Sequence, residues 1–167
     1  MAAELRHEQA RSAIRAMREE DVARVIEILR DAPEAVSWPE AAFKEALRSE
    51  GGLELVSETR GKTTGFLIGR RAVEEAEILN LAVAAESRRS GEGAALLKAA
   101  LESFFSRGVS RVFLEVRESN QGAITFYRKY GFAGTGRREG YYRDPPEAAL
   151  TMERKLTAQH SFSEVVD

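Results

Sequence analysis

One stretch of the chain constrains its fold more than any other. Residues Ile78-Leu79-Asn80-Leu81-Ala82-Val83 are almost continuously apolar, the pattern of a strand covered on both faces and hence of a central one. A few residues on, the chain passes through Arg88-Arg89-Ser90-Gly91-Glu92-Gly93 and takes up helical spacing. Ala94, Leu97, Leu101 and Phe104 form one apolar stripe, and Gly108 is its stop. A buried strand that runs into an amphipathic helix points to a sheet with helices packed on it.

The flanking segments agree. Residues 13–17 read as a short strand, and Asp21 then stands as an N-cap before Val22, Val25, Ile26 and Leu29 at helical spacing. A second helix starts near Pro39, carries Ala42, Phe43, Ala46 and Leu47, and ends at Gly51-Gly52. Strands are expected over 53–58, 64–73, 76–84, 111–117, 132–138 and 148–156, with a helix over 121–129 closed by Gly131. Strands alternating with helices in the middle and paired at both ends imply a mixed α/β sheet. Gly61-Lys62-Thr63 invites a phosphate-loop reading, but that motif needs a glycine where Val56 stands, so a hairpin turn is expected there. Residues 13–156 make one domain, with polar extensions at 1–12 and 157–167.

What the chain lacks narrows its chemistry. Among 167 residues there is no cysteine, and the two histidines, His7 and His160, lie in the polar ends. A Ser-His-Asp triad, a Cys-His dyad or a histidine metal cluster within the core is therefore close to excluded. Carboxylates, tyrosines, lysines, hydroxyls and backbone amides remain. Lys and Arg total 25 against 27 Asp and Glu, a net charge of −2, which is not the basic excess of a nucleic-acid binder. No apolar run approaches the ~20 residues of a membrane helix. Residues 1–11 are polar rather than signal-like, so a cytoplasmic address is expected.

The segment Arg88-Arg89-Ser90-Gly91-Glu92-Gly93-Ala94 lets a ligand approach the backbone at a helix N-terminus, where free amides and the dipole favour an anion such as a diphosphate. Flanking arginines add charge-assisted contacts. Taken alone, the same residues also fit a tight strand-to-helix turn with solvated arginines.

The pattern Arg-x-x-Gly-x-Gly-Ala after Leu81-Ala82-Val83 resembles the acetyl-CoA loop of the GNAT superfamily of N-acetyltransferases. The similarity continues through Leu114-Glu115-Val116-Arg117-Glu118-Ser119-Asn120, Ala123-Ile124, Phe126-Tyr127 and Tyr130-Gly131-Phe132. It ends with Tyr141-Tyr142 and Asp144-Pro145-Pro146-Glu147-Ala148. The ordered series looks like the RimI branch, acetyltransferases of protein N-termini that include the ribosomal-protein-alanine enzyme, and it covers residues 13–156. The resemblance implies the GNAT fold, a central mixed, splayed β-sheet of about six or seven strands flanked by about four helices. It also implies acetyl-CoA as cosubstrate and no metal.

By that resemblance Leu81, Ala82 and Val83 pair with the pantetheine arm, Arg88, Arg89, Ser90, Gly91, Glu92, Gly93 and Ala94 hold the pyrophosphate, and Asn120 is a cofactor contact. Asn120 also opens a helix and reads as an N-cap. Glu115 matches the family's general base; alternation puts it on a strand face with Phe113 and Arg117, so an ordinary Glu115–Arg117 pair is the other reading. Tyr127 matches the acid that protonates departing CoA, two helical turns after Asn120. Its other reading is a core tyrosine beside Phe126 and Tyr130. Tyr141 and Tyr142, in the loop before the last strand, match tyrosines that grip a substrate peptide, or else form a turn-packing pair. A backbone amide of the central strand, Val83, is the expected donor to the thioester oxygen.

Two departures stand out. Ser37-Trp38-Pro39 replaces the family's usual Pro-Trp-Ser, and Glu92 brings a negative charge into the phosphate loop, where it either points to solvent or weakens cofactor binding. The resemblance implies direct transfer of acetyl from acetyl-CoA to a primary amine, the N-terminal α-amine of a protein such as a ribosomal protein. The enzyme is expected to be a monomer or weak homodimer with no nucleic-acid or membrane partner. Acetylation of a small-molecule amine and a non-catalytic acyl-CoA-binding module are the two alternatives.

Overall fold

The computed structural model describes residues 12–158. The elements follow one another as β1 (Ala13–Ala16), α1 (Val22–Arg30), α2 (Glu40–Arg48), β2 (Gly52–Thr59), β3 (Lys62–Ala72), β4 (Glu75–Val83), α3 (Glu92–Ser106), β5 (Arg111–Arg117), α4 (Gln121–Lys129), β6 (Ala133–Arg143) and β7 (Pro146–Lys155). All seven strands share one sheet in the order β1-β2-β3-β4-β5-β7-β6. Every neighbouring pair is antiparallel except β4 and β5, which run parallel. That one pair is where α3 carries the chain across, as a parallel connection requires.

The sheet separates two apolar cores. On one face Leu96, Leu97, Ala100, Leu101 and Phe104 of α3, with Ile124 and Tyr127 of α4, pack on Leu67, Ala76, Ile78, Val112, Leu114 and Val116. On the other, Val22, Val25, Ile28 and Leu29 of α1, with Phe43 of α2, cover Val56, Phe66, Ile68, Ala82 and Ala84. The α1 stripe thus includes Ile28, while Ile26 is only half-buried.

Asp21 precedes α1 as the spacing predicts, but its side chain does not cap that helix. It accepts a bidentate pair of bonds from Arg15 on β1 at 2.7 and 2.8 Å, one from the Arg18 amide, and one from Thr63 on β3. These fasten the start of α1 to β1 and β3. The 60–62 turn joins β2 to β3 as a hairpin.

The C-terminal strands are longer than their sequence pattern predicts. β6 runs on through Tyr141 and Tyr142 to Arg143, and β7 begins at Pro146. The two tyrosines therefore lie on a strand rather than in a loop. Between Arg138↔Ala149 and Tyr142↔Glu147, β6 spends more residues than β7, so Glu139, Gly140 and Tyr141 bulge out of the ladder. Such a bulge breaks the alternation from which a strand is read.

Candidate active site

β4 and β5 pair from Glu75↔Arg111 to Ile78↔Leu114 and then part. Beyond that point β5 keeps only β7 as a partner, through Glu115↔Thr151, Val116↔Leu150 and Arg117↔Ala149. The gap between the diverging strands opens a groove of about 680 Å³, lined by residues 78–83 of β4, by Leu114, Glu115 and Val116, and by Asn120, Ala123 and Tyr127.

A bulge coincides with the split. Ile68 on β3 faces Asn80 and Gly69 faces Ile78, which leaves Leu79 as the extra residue on β4. The bulge shifts the phase of the strand. Before it Ala76 and Ile78 point to the α3/α4 core; after it Ala82 and Ala84 point to the α1/α2 core. Farther along, the Ala84 amide donates to Thr64 on β3 at 2.8 Å. By the antiparallel alternation, Ala82 also turns its backbone groups to β3, while those of Leu81 and Val83 face the gap. Of the three residues expected to pair with a pantetheine arm, Leu81 turns both backbone groups and Val83 its amide to the gap, the Val83 carbonyl being taken by Arg88, and Ala82 turns neither.

The groove continues into a second of about 420 Å³ beside the loop, lined by Ser87, Arg88, Arg89, Gly91, Gly93, Ala94, Phe126 and Tyr127. Gly91 is the N-cap of α3 at φ 84°, where an L side chain is strained, and a Cβ there would meet nothing within 4 Å. The first α3 bond runs from the Ala95 amide to the Gly91 carbonyl at 3.0 Å. The amides of Glu92, Gly93 and Ala94 therefore have no acceptor within the helix. Arg88 is tied in place, donating to the Val83 carbonyl at 3.3 Å and the Asp31 carbonyl at 2.8 Å. Arg89 is exposed, and the Ser90 hydroxyl donates to the Ser87 carbonyl. Free amides, an open approach at Gly91, two arginines and unpaired β4 groups together suit a diphosphate joined to an extended amide-bearing arm.

Glu92 does not point to solvent. It is 5% exposed, and its carboxylate accepts from Ser57 and Thr59 of β2, both at 3.1 Å. Its side chain thus turns away from the loop, and only its backbone faces an anion.

Glu115 and Tyr127 line the gap from opposite faces of the sheet. Val112, Leu114 and Val116 point into the α3/α4 core with Tyr127, so Phe113, Glu115 and Arg117 point to the α1/α2 side. Glu115 Oε1 lies 3.2 Å from the Arg138 guanidinium, while Oε2 is buried without a hydrogen-bond partner. The Glu115–Arg117 pairing does not form: Arg117 instead bonds Glu147 and the carbonyls of Asp144 and Pro145. Tyr127 packs edge-on against Phe126 and Phe132, and burial raises its pKa above the ordinary phenol value. It is at once a core tyrosine and a groove-lining one. Asn120 caps α4, accepting from the Ala123 amide at 3.0 Å, and lines the same groove.

The two tyrosines of β6 differ. Tyr141 is 45% exposed, and the neighbouring Glu115 carboxylate raises its pKa. Tyr142 lies under Arg117, whose guanidinium carbon is 4.2 Å from the ring centroid. The rings themselves meet edge-on at 5.0 Å.

Sequence reasoning missed Arg138 and Asn80. Arg138 gives no local signal, because its proximity to Glu115 depends on the β5–β7–β6 pairing. Asn80 was legible as the one polar residue in an apolar strand; it is buried and donates to the Val36 carbonyl at 2.9 Å, holding the α1–α2 connection against β4. That connection contains Ser37-Trp38-Pro39, and Trp38 packs on Phe43 with ring centroids 5.3 Å apart. His7 and His160 lie outside the described residues. No helix among the described residues is long and apolar enough to cross a membrane.

Residues 14–132 match the model of the acetyltransferase (GNAT) family. The chain is 35% identical over 120 residues to the ribosomal protein bS18-alanine N-acetyltransferase of Escherichia coli, covering 71% of this chain and 80% of that protein. The crystal structure of an E. coli enzyme of that name superposes with a TM-score of 0.78 at 29% identity, over 90% of this chain and 99% of the other. Ard1 from Thermoplasma volcanium superposes with a TM-score of 0.81 at 33% identity, over 87% and 98% of the two chains.

Proposed function

The chain belongs to the acetyltransferase (GNAT) family, whose members draw acetyl from acetyl-CoA, and from that premise we propose that its acceptor is the N-terminal α-amine of a protein, of the ribosomal-protein-alanine type. One observation carries the mechanism: Glu115 and Tyr127 reach the β4–β5 gap from opposite faces, where β4 leaves backbone groups unpaired.

Acetyl-CoA supplies an acyl group activated as a thioester. The Leu81 backbone groups hold the extended arm, and a gap-facing amide, Val83 being the candidate, donates to the carbonyl oxygen. Arg88, Arg89 and the amides of Glu92, Gly93 and Ala94 hold the diphosphate, with Ser90 and Gly91 shaping its approach, and Asn120 lines the groove of the arm. The acceptor enters from the α1/α2 side. Glu115 takes the proton that an amine carries at neutral pH, freeing its lone pair. Nitrogen bonds to the acetyl carbon, the carbon–sulfur bond breaks, and the second proton that nitrogen sheds on becoming an amide passes through water to the phenolate left when Tyr127 gives its phenolic proton to the sulfur. Raised by burial, the Tyr127 pKa keeps that proton in place until a thiolate needs it.

The acceptor side favours a peptide. Exposed Tyr141 stands beside Glu115, and a pocket of about 260 Å³ extends from Glu115 along Phe113, Glu77 and Arg138. A mass-spectrometric screen of N-terminal peptides and small amines with acetyl-CoA tests the assignment. Acetylation of peptides beginning with alanine is expected; acetylation of small amines alone would move the enzyme to another substrate class, and no turnover of any amine would leave an acyl-CoA-binding module.

A further inference from the structure

Glu92 is a buried carboxylate inside an anion-binding segment, an arrangement that electrostatics alone disfavours. What holds it lies outside the loop. Oε2 accepts from Ser57 and Oε1 from Thr59, so one side chain of α3 spans two residues of β2. Behind them Ser57 and Thr64 share a hydroxyl contact at 3.3 Å. Gly65 leaves the room, since a Cβ there would lie 2.7 Å from the Ser57 hydroxyl. Ser57 and Thr64 are themselves buried.

Glu92 is also the first residue of α3, next to the Gly91 cap, and its own amide is one of the three left free for an anion. Fixing its side chain on β2 therefore fixes the direction of those amides. We infer that Glu92 is a positioning residue for the diphosphate, acting through Ser57 and Thr59 to aim the α3 N-terminus into the groove. This rests on the reading of the loop as the diphosphate site. The anchor acts by placement and not by charge. A glutamine keeps both bonds, because its amide NH₂ can donate to one hydroxyl while its oxygen accepts from the other.

The test compares two acetyl donors, acetyl-CoA and S-acetylpantetheine, which lacks the diphosphate. Glu92→Ala is expected to raise KM for acetyl-CoA about tenfold, the scale of lost hydrogen bonds to a charged group, and to leave KM for S-acetylpantetheine unchanged. Glu92→Gln restores the wild-type value, and Thr59→Val shifts KM in the same direction by less, with no additional effect on top of Glu92→Ala. If Glu92→Ala does not fold, Thr59→Val and Glu92→Gln carry the comparison. Equal losses with both donors would reduce Glu92 to a general structural role, and tighter acetyl-CoA binding in both Glu92 variants would show that charge dominates; either overturns the inference. If the wild-type enzyme uses both donors equally well, the diphosphate reading of the loop itself fails, and the inference with it.

Discussion

Glu115 and Tyr127 meet the same gap from opposite faces of the sheet, one beside Arg138 on the α1/α2 side and the other within the α3/α4 core. The separation suits a transfer in which one proton leaves the acceptor and a different proton reaches the leaving group. Removing the phenol should expose that division. Tyr127→Phe is expected to lower kcat by roughly 10²-fold, in the range of general acid catalysis, with KM for acetyl-CoA nearly unchanged. Because burial raises the Tyr127 pKa, the wild-type rate should show no alkaline loss from this group below about pH 10. Steady-state kinetics across pH checks both points.

Glu115→Gln keeps the shape and removes the base. The expected loss in kcat/KM for the acceptor is roughly 10²- to 10³-fold, while calorimetric affinity for acetyl-CoA stays within about twofold of wild type, since Glu115 faces the other side of the sheet.

Gly91→Val tests the loop. The position is open and at φ 84°, so a branched side chain strains the turn and projects into the approach left clear for a ligand. Acetyl-CoA Kd should rise at least about tenfold by calorimetry; an unchanged Kd would sink the assignment.

The tyrosine pair should separate. Tyr141→Ala is expected to raise KM for a peptide acceptor several-fold without altering KM for acetyl-CoA. Tyr142→Ala, which removes the ring under Arg117, should instead lower the melting temperature, because Arg117 also holds the 144–145 carbonyls.

Asp21 gives a pH signature of stability. Its hydrogen-bonded pairing with Arg15 lowers the carboxyl pKa from 3.8 to about 2. A depressed folded-state value contributes stability that is fully present above the unfolded pKa and is lost as pH falls from about 4 to about 2. The contribution at neutral pH is about 2 kcal/mol. Asp21→Asn should cost that amount, roughly 5 °C in Tm, and flatten the acid limb of the thermal-unfolding profile.

The sequence carried what is local. The apolar run at 78–83, the glycines around Glu92 and the alternation of 111–117 sufficed to place β4, the loop and Glu115. What it hid depends on pairing between distant segments. Ala82 differs from Leu81 and Val83 only through the β3 ladder, and the bulge at Leu79 that sets its phase has no signature within β4. Glu92 found its hydroxyls on β2, 33 and 35 residues away. Tyr141 and Tyr142 sit amid Gly and Pro, so they read as a loop, whereas β7 draws them into a strand.

Acetyl is expected to pass to an N-terminal amine at the β4–β5 gap. One peptide carrying both a free α-amine and an internal lysine, incubated with acetyl-CoA and mapped by tandem mass spectrometry, tests it most directly. A single acetyl on the α-amine, lost with Glu115→Gln, is expected; acetyl on the lysine side chain, or on neither amine while a small amine is modified, would rule out transfer to the N-terminus.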